Sequence, residues 1–319
     1  MKERIAIFTD LNTRLIKVKD DIRKKAKYKD HLERLNANLY QGEMKKDKLE
    51  QQLIKKKEDV TRLENFSLTN IFFTIIGKKL EKLDNEQQEL LAAKLKYTEA
   101  LETIEDIEGE INQFHEKLLL VANAENEYEE ILKEKERLIH DNHSFWSETL
   151  YALTDKEADI YASLTEYDEA ISVGKQAVQS LKEALDSLTS AQNWSTFDMF
   201  GGGIISTSVK HNRFDAAKSH IHHAQSLLRQ FQEELLDIDK HFHSNFETGE
   251  LLTFADYFFD GIIADWIVHG KINDCFQQTE KAKSYVSKIL QQIIGQKNDL
   301  ETDLINIHAE RIKIFESSK

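Results

Sequence analysis

The chain has 319 residues with no proline, 11 glycines and a single cysteine, and its formal net charge at pH 7 is −14. Because proline costs about 3 kcal/mol inside a helix, its absence permits very long helices and favours an elongated all-α protein. The single cysteine, Cys275, excludes an intramolecular disulfide framework. The composition therefore indicates an intracellular rather than a secreted protein.

Neither an export signal nor a membrane-spanning run is predicted. The apolar run near the start of the chain, Ile5 to Phe8, is too short for the core of a signal peptide. The most apolar long window, Leu251 to Val268, carries three aspartates, which are costly at the centre of a bilayer. We therefore expect a cytoplasmic protein.

The first two predicted elements are long helices of nearly equal length. Apolar residues recur in steps of three and four from about Glu3 to Glu64, and a more regular seam follows from about Lys78 to His140. The first stretch is rich in Lys and Arg, whereas the second is rich in Asp and Glu. This charge pattern predicts that the two helices pair as an antiparallel coiled-coil hairpin over residues 1–140.

The tip of this hairpin, residues 66–77, is strongly apolar where a turn is normally polar. Its apolar side chains are Phe66, Leu68, Ile71, Phe72, Phe73, Ile75 and Ile76. Such a tip has to be covered, and three explanations stand: a contact within the protein or a dimer, a protein partner, or shallow insertion at a membrane surface.

Residues 141–319 are predicted to form an elongated helical bundle of three long helices. The first of these runs to about Ser190. The second is predicted to begin at Asp215 and the third at Asn273, since both side chains suit a helix N-cap.

The bundle contains an internal repeat over residues 196–242 and 254–300. Thr196 to Asp215 recurs 58 positions later as Phe254 to Asn273, with an aromatic residue and a Gly-Ile-Ile bend in register. Asp198 matches Asp256, Gly203 matches Gly261, and His211 matches His269. We interpret the repeat as a duplicated helical corner, in which the two glycines make the bend.

The repeated pairs Asp198/His211 and Asp256/His269 are the candidates for a metal site or a pH-sensitive latch. The simpler interpretation, which we favour, is that the aspartate caps a short helix and the histidine lies near its negative end. The other histidines show no HExxH spacing. No metal and no cofactor is assigned.

Two further motifs provide little evidence for a function. Gly201–Gly203 lacks the lysine and hydroxyl residue of a P-loop. The basic run Lys17–Lys29 would suit nucleic acid or anionic lipid, but the net charge of the chain argues against nucleic acid. We expect this run to lie against the acidic second helix and solvent.

No catalytic constellation is recognisable, and Cys275 is expected to be a core residue. The leading hypothesis is a non-enzymatic, cytoplasmic coiled-coil scaffold or interaction protein that forms homo-oligomers and contacts a protein partner through the apolar tip. One alternative is a membrane-active hairpin that inserts its tip at a bilayer surface. The other is a metal-binding sensor or enzyme that uses the repeated Asp and His. The abundance of Lys, Ile, Asn and Glu is compatible with a low-GC bacterial source.

Overall fold

A computed structural model describes residues 2–59, 85–140, 145–199, 207–242, 262–269 and 271–317, with side chains near several of the segment ends outside the description. Within these ranges the chain is helical apart from a short turn and one residue before the last helix, and it contains no strand. The predicted all-α class is therefore confirmed. The absence of proline from the sequence allows three of these helices to exceed 45 residues.

The described part of the chain contains seven helices. They are α1 (Lys2–Asp59), α2 (Asn85–Leu120), α3 (Ala124–His140), α4 (Phe145–Met199), α5 (Thr207–Phe242), α6 (Ile262–His269) and α7 (Ile272–Ser317). No helix within the described ranges is long and apolar enough to cross a membrane.

Helix α1 runs antiparallel to α2 and α3. Ion pairs mark this register along the helices: Lys56 with Glu89, Lys25 with Glu125, and Arg14 with Glu134. A small apolar cluster at one end joins α1 to α3 through Leu15, Val18 and Ile131. The antiparallel direction agrees with the expected arrangement of basic and acidic helices, whereas coiled-coil supercoiling of the pair remains a prediction.

The prediction of one continuous helix from Lys78 to His140 is wrong, because a turn at 121–123 separates α2 from α3. The buried residues Val121 and Ala124 follow Leu118 in two consecutive steps of three, which interrupts the alternation of three and four. A continuous helix would have to be overwound to keep Leu118, Val121 and Ala124 on one face. Instead, the backbone leaves the helical conformation at 121–123. Lys25 Nζ donates a 2.5 Å hydrogen bond to the carbonyl of Ala122 exposed by the break.

Helix α4 is the centre of the bundle and packs against both α5 and α7. The apolar positions that recur at the 58-residue offset all enter this core: Ala224, Leu228, Phe231 and Leu235 of α5, and Ala282, Val286, Ile289 and Ile293 of α7. The helical bundle is therefore confirmed. Its repeated positions are buried because both copies present the same face to α4.

Two helix boundaries in the bundle differ from the predictions. Helix α4 extends to Met199 rather than ending near Ser190, and α5 begins at Thr207, eight residues before Asp215. The sequence between Thr207 and Asp215 contains no glycine or proline, so nothing in it opposes a helix. In the second copy, by contrast, Gly270 lies between α6 and α7 where the first copy has Asn212.

The two predicted domains, residues 1–140 and 141–319, pack against each other. Helix α1 lies along α4, and α2 contacts the corner helix α6. Leu91 and Leu95 of α2 belong to the same apolar core as Ile263 and Trp266 of α6. Helices α1 and α2 are thereby fixed to the bundle at two separate places.

Candidate functional site

Most of the predicted site residues lie outside the described part of the chain. This holds for the seven apolar side chains of the tip, for Gly203 and Gly261, and for Asp256. Asp198, His211, Asp215 and His269 lie within α4, α5 and α6, but their side chains are not described. The metal hypothesis for the repeated Asp and His therefore remains untested. Among the described residues, no group of three or more His, Cys, Asp or Glu side chains is placed to hold a metal ion.

Asn273 occupies the second position of α7 rather than the position before it. The first hydrogen bond of this helix runs from the Cys275 amide to the carbonyl of Lys271, at 3.0 Å. The side-chain oxygen of Asn273 instead accepts a hydrogen bond from Gln192 of α4. Asn273 thus connects the start of one long helix to the end of another.

The described residues bring together a different and larger constellation, an ionic interface between α1 and the bundle. Five side chains of α1 recur at intervals of three or four residues and so share one face: Lys19, Arg23, Lys27, His31 and Arg34. Each contacts a carboxylate of α4 or α5. We call this interface the ionic clasp.

Lys27 lies at the centre of the clasp, and its side chain is only 2% exposed. Its ammonium group is 2.5 Å from Glu169 of α4 and 2.7 Å from Glu234 of α5, and Asp237 lies 3.8 Å away. Burial alone would lower the pKa of Lys27, but the charges of Glu234 and Glu169 outweigh it and raise the pKa. Lys27 therefore remains an ammonium ion and holds three helices together.

The inner end of the clasp is formed by His31 and Arg34. His31 hydrogen-bonds to Asp237, while Arg34 bonds to Glu233 and, at 3.0 Å, to Asp237. The ring of Phe114 from α2 covers the imidazole at a centroid distance of 4.6 Å. An apolar cover of this kind excludes water and strengthens the electrostatic interactions beneath it.

The outer end of the clasp includes two exposed carboxylates, those of Asp155 and Asp159. Arg23 donates hydrogen bonds to Ser163 at 3.1 Å and to the carbonyl of Asp159 at 3.2 Å, and it lies 3.6 Å from Glu166. Lys19 lies 3.4 Å from Asp155. Burial raises the pKa of Glu166 to about 7, although Arg23 and Lys27 act in the opposite direction.

A cavity of about 510 Å³, lined mainly by polar residues, continues from the inner end of the clasp, between α1, α2 and α5. It shares Arg34 and Glu233 with the clasp. On each helix the lining residues recur every three or four positions, so each helix contributes one face that is mainly polar by residue type. The faces of helices that pack together are usually apolar. Volumes of this size are typical of small-molecule sites.

Like Glu233, Glu99 is a deeply buried carboxyl group of the cavity wall, with 7% of the residue exposed. The amide of Gln225 donates to it at 3.2 Å, and burial raises the pKa of Glu99 to about 7. Along the same two helices His222 lies 3.3 Å from Asp106, and Arg229 donates a 2.7 Å hydrogen bond to Glu110. The cavity thus has several hydrogen-bonding groups held in place by their neighbours.

No protein-family model, curated protein or solved structure matches the chain significantly.

The expectation that the basic run lies against the acidic second helix is correct only for part of it. Lys25 pairs with Glu125 of α3, but the clasp residues Lys19, Arg23 and Lys27 face α4 and α5 instead. The spacing of basic residues at every fourth position is the sequence signal that could have revealed the clasp. The acidic partners lack an equally clear signal, because Asp and Glu occur throughout the chain.

Cys275 lies in the bundle core and is 2% exposed. Burial raises the pKa of its thiol to about 12, so the thiolate needed for nucleophilic chemistry is not formed near neutral pH. The clasp holds helices together, and neither the clasp nor the lining of the cavity contains a cysteine.

Proposed function

We propose that the chain is a non-enzymatic α-helical scaffold or interaction protein of the cytoplasm, which self-associates and contacts a protein partner through its apolar tip. The observation that carries this proposal is an exposed apolar stripe on α1. Tyr40 is 63% exposed, Met44 58% and Ile54 56%. Their spacing places all three within an arc of roughly 80° on the helix surface. Exposed apolar side chains aligned in this way are typical of an interaction surface.

The charges beside the stripe favour a second copy of the chain as its partner. By helical spacing, Lys48 and Lys55 lie on one flank of the stripe and Glu43 and Glu50 on the other, while Asp47 lies within the arc of the stripe itself. When two copies of α1 pack in parallel around a two-fold axis, the basic flank of one faces the acidic flank of the other. In an antiparallel pair, like charges would meet. We therefore propose a parallel dimer along α1.

The ionic clasp supports this role because it fixes α1 along the bundle and directs the opposite face of the helix outward. Between residues 40 and 56, Leu49 is the only buried residue of α1. A long helix held on one side and exposed on the other is suited to present a linear surface to a partner.

Cysteine cross-linking tests both the contact and its direction. In a parallel dimer Met44 lies beside Met44 of the second copy, so Met44→Cys should form an interchain disulfide under mild oxidation. The native Cys275 is buried and should not compete. The matched control is Gln176→Cys, an exposed position on α4 away from the stripe. Equal cross-linking of the two variants, or none at Met44→Cys, would contradict the parallel dimer.

Light scattering over a range of concentrations tests self-association without a cross-link. Met44→Glu should shift the protein towards the monomer, whereas Gln52→Glu, which adds the same charge beside the stripe, should leave the oligomer intact. For the tip, Phe72→Ser/Phe73→Ser should lose partners in pull-down experiments. A wild-type protein that stays monomeric, together with a tip variant that retains every partner, would count against the scaffold proposal.

A further inference from the structure

The charged groups around the cavity between α1, α2 and α5 nearly cancel one another. Four side chains of the lining are permanent cations, and both guanidinium groups among them already bond to carboxylates. Counted with these bonded partners, the carboxyl groups number five, and burial raises the pKa of one of them, Glu99, to about 7. The cations are Arg34, Lys45, Lys96 and Arg229, and the carboxyl groups are Glu99, Asp106, Glu110, Glu233 and Asp237. Because burying an unpaired charge is costly, a wall without net charge favours an uncharged ligand.

Four uncharged polar side chains of the lining have no hydrogen-bond partner within the described part of the chain. They come from two facing helices, α1 and α5, and are Asn38, Gln41, Ser226 and Gln232. Each amide has donors and an acceptor, and the hydroxyl group both donates and accepts. These groups are therefore available to a ligand that also donates and accepts hydrogen bonds.

The lining also contains apolar side chains close to these polar groups. Ala37 is next to Asn38 on α1, and Leu236 lies one helical turn after Gln232 on α5. The wall formed by α2 adds Ala100 and Ile107. A ligand that suits both kinds of group has hydroxyls on a short carbon skeleton. The described lining contains no Phe, Tyr or Trp on which a nucleobase could stack.

We propose that this cavity binds a small uncharged molecule with several hydroxyl groups, of the class of sugar alcohols and sugars. Its volume of about 510 Å³ accommodates a molecule of this class. The amides of Asn38, Gln41 and Gln232 bind the hydroxyls, while Ala100 and Ile107 contact the carbon skeleton. Because the cavity lies within one chain, this binding does not require the proposed dimer.

The choice of an uncharged ligand can be tested with three molecules that share one open six-carbon chain. D-sorbitol is neutral, D-gluconate replaces one terminal alcohol with a carboxylate, and D-glucamine replaces it with an ammonium group. Saturation-transfer NMR with the full chain at pH 6.5, where most of Glu99 is protonated, measures the binding of each. D-glucose is the fourth probe and shows whether a sugar ring is preferred to an open chain.

We expect saturable binding of sorbitol or glucose, at least about tenfold tighter than the binding of gluconate or glucamine. A tenfold difference corresponds to about 1.4 kcal/mol, which is less than the usual cost of burying an unpaired charge.

Two variants link the binding to the cavity. Gln232→Leu removes one amide at similar size and should weaken binding about threefold to tenfold, whereas Gln292→Leu, at an exposed position of α7, should not. Ala37→Phe fills the cavity from α1 and should abolish binding. Its control, Ala309→Phe, adds the same ring at an exposed position of α7. Circular dichroism shows whether each variant folds, and Gln232→Leu remains decisive if the filled variant does not.

The proposal is overturned if neither sorbitol nor glucose binds at concentrations up to about 10 mM, where even weak sites are detected. It is also overturned if gluconate or glucamine binds as tightly as the neutral probes. Unchanged binding in folded Gln232→Leu and Ala37→Phe would place the binding elsewhere and equally reject the cavity.

Discussion

His31 of α1 and Asp237 of α5 form a hydrogen bond across 206 positions of sequence, and each side chain is 3% exposed. Burial by itself would raise the pKa of Asp237. The hydrogen bond from His31 and the charges of Lys27 and Arg34 outweigh burial and lower this pKa below its ordinary value of 3.8. The clasp thus keeps a deeply buried carboxylate ionised by surrounding it with donors.

The first prediction concerns Lys27. Lys27→Met leaves Glu169, Glu234 and Asp237 close together without the ammonium group, so it should lower the free energy of unfolding by about 3–5 kcal/mol. Adding Glu234→Leu removes one of the stranded carboxylates and should recover part of that loss. Denaturant unfolding of wild type, both single variants and the double variant gives the coupling energy. The control is Lys175→Met, which removes an exposed charge and should change little. Additive effects at positions 27 and 234 would show that the two side chains do not interact.

The second prediction concerns the pH dependence of stability. Burial raises the folded-state pKa values of Glu99 and Glu166 from 4.5 to about 7. Between these values the folded protein binds more protons than the unfolded chain, so the free energy of unfolding falls as pH rises through this window. Above pH 7 both groups are ionised in both states, and their contribution levels off. Asp237 acts in the opposite sense, because its lowered pKa adds stability that is lost as pH falls below about 4.

Glu99→Gln tests this pH dependence directly. The amide keeps an acceptor for Gln225 but cannot ionise, so the variant should be more stable than wild type at pH 8, by about 1–3 kcal/mol, and should match it more closely near pH 5. Glu108→Gln, an exposed position on the same helix, should show no such difference. Thermal unfolding across this pH range provides the measurement. A Glu99→Gln effect that is the same at pH 5 and pH 8 would contradict the assignment.

The third prediction concerns Gly174 in the middle of α4. An added Cβ at this position would lie 2.7 Å from the ring of Phe231 and 3.1 Å from Leu290. Helices α5 and α7 therefore pack this closely against α4 only because residue 174 has no side chain. Gly174→Ala should therefore cost about 1–3 kcal/mol through overpacking. At Gly295 an added Cβ meets nothing within 4 Å, so Gly295→Ala should stabilise α7 by about 0.5–1 kcal/mol. Chemical denaturation distinguishes the two, and a stabilising Gly174→Ala would refute the close contact.

The fourth prediction concerns Asn12, which is 2% exposed beside the apolar cluster of α1 and α3. Among the described residues neither of its amide atoms has a hydrogen-bond partner. Because an unsatisfied buried amide is costly, Asn12→Leu should raise the free energy of unfolding by about 1–3 kcal/mol. Asn112→Leu, at an exposed position of α2, is the matched control and should be near neutral. Destabilisation by Asn12→Leu would show that the amide has a partner of its own.

Local periodicity was sufficient to predict the all-α class, the bundle and the repeated core positions of α5 and α7. These features follow from apolar residues at steps of three and four, and that information lies within each helix. The break at 121–123 was missed because Val121 and Ala124 are each acceptable in a helix seam, and only their position against α1 makes the spacing costly. The start of α5 at Thr207 was not predicted, because Asp215 is a suitable N-cap residue and was interpreted as one. In the structure the helix begins before Asp215, so this residue does not cap it.

The sequence alone determined that α1 carries basic residues at every fourth position from Lys19 to His31, since that spacing is a property of one helix. Only the tertiary structure decided where these residues point. Lys27 meets Glu169 and Glu234 from two other helices, 142 and 207 positions away, among many acidic residues that could have served equally well. Charge attraction is long-ranged and does not select among such partners. The close packing of α4, α5 and α1 selects them, because it buries one set of carboxylates and leaves the rest in water.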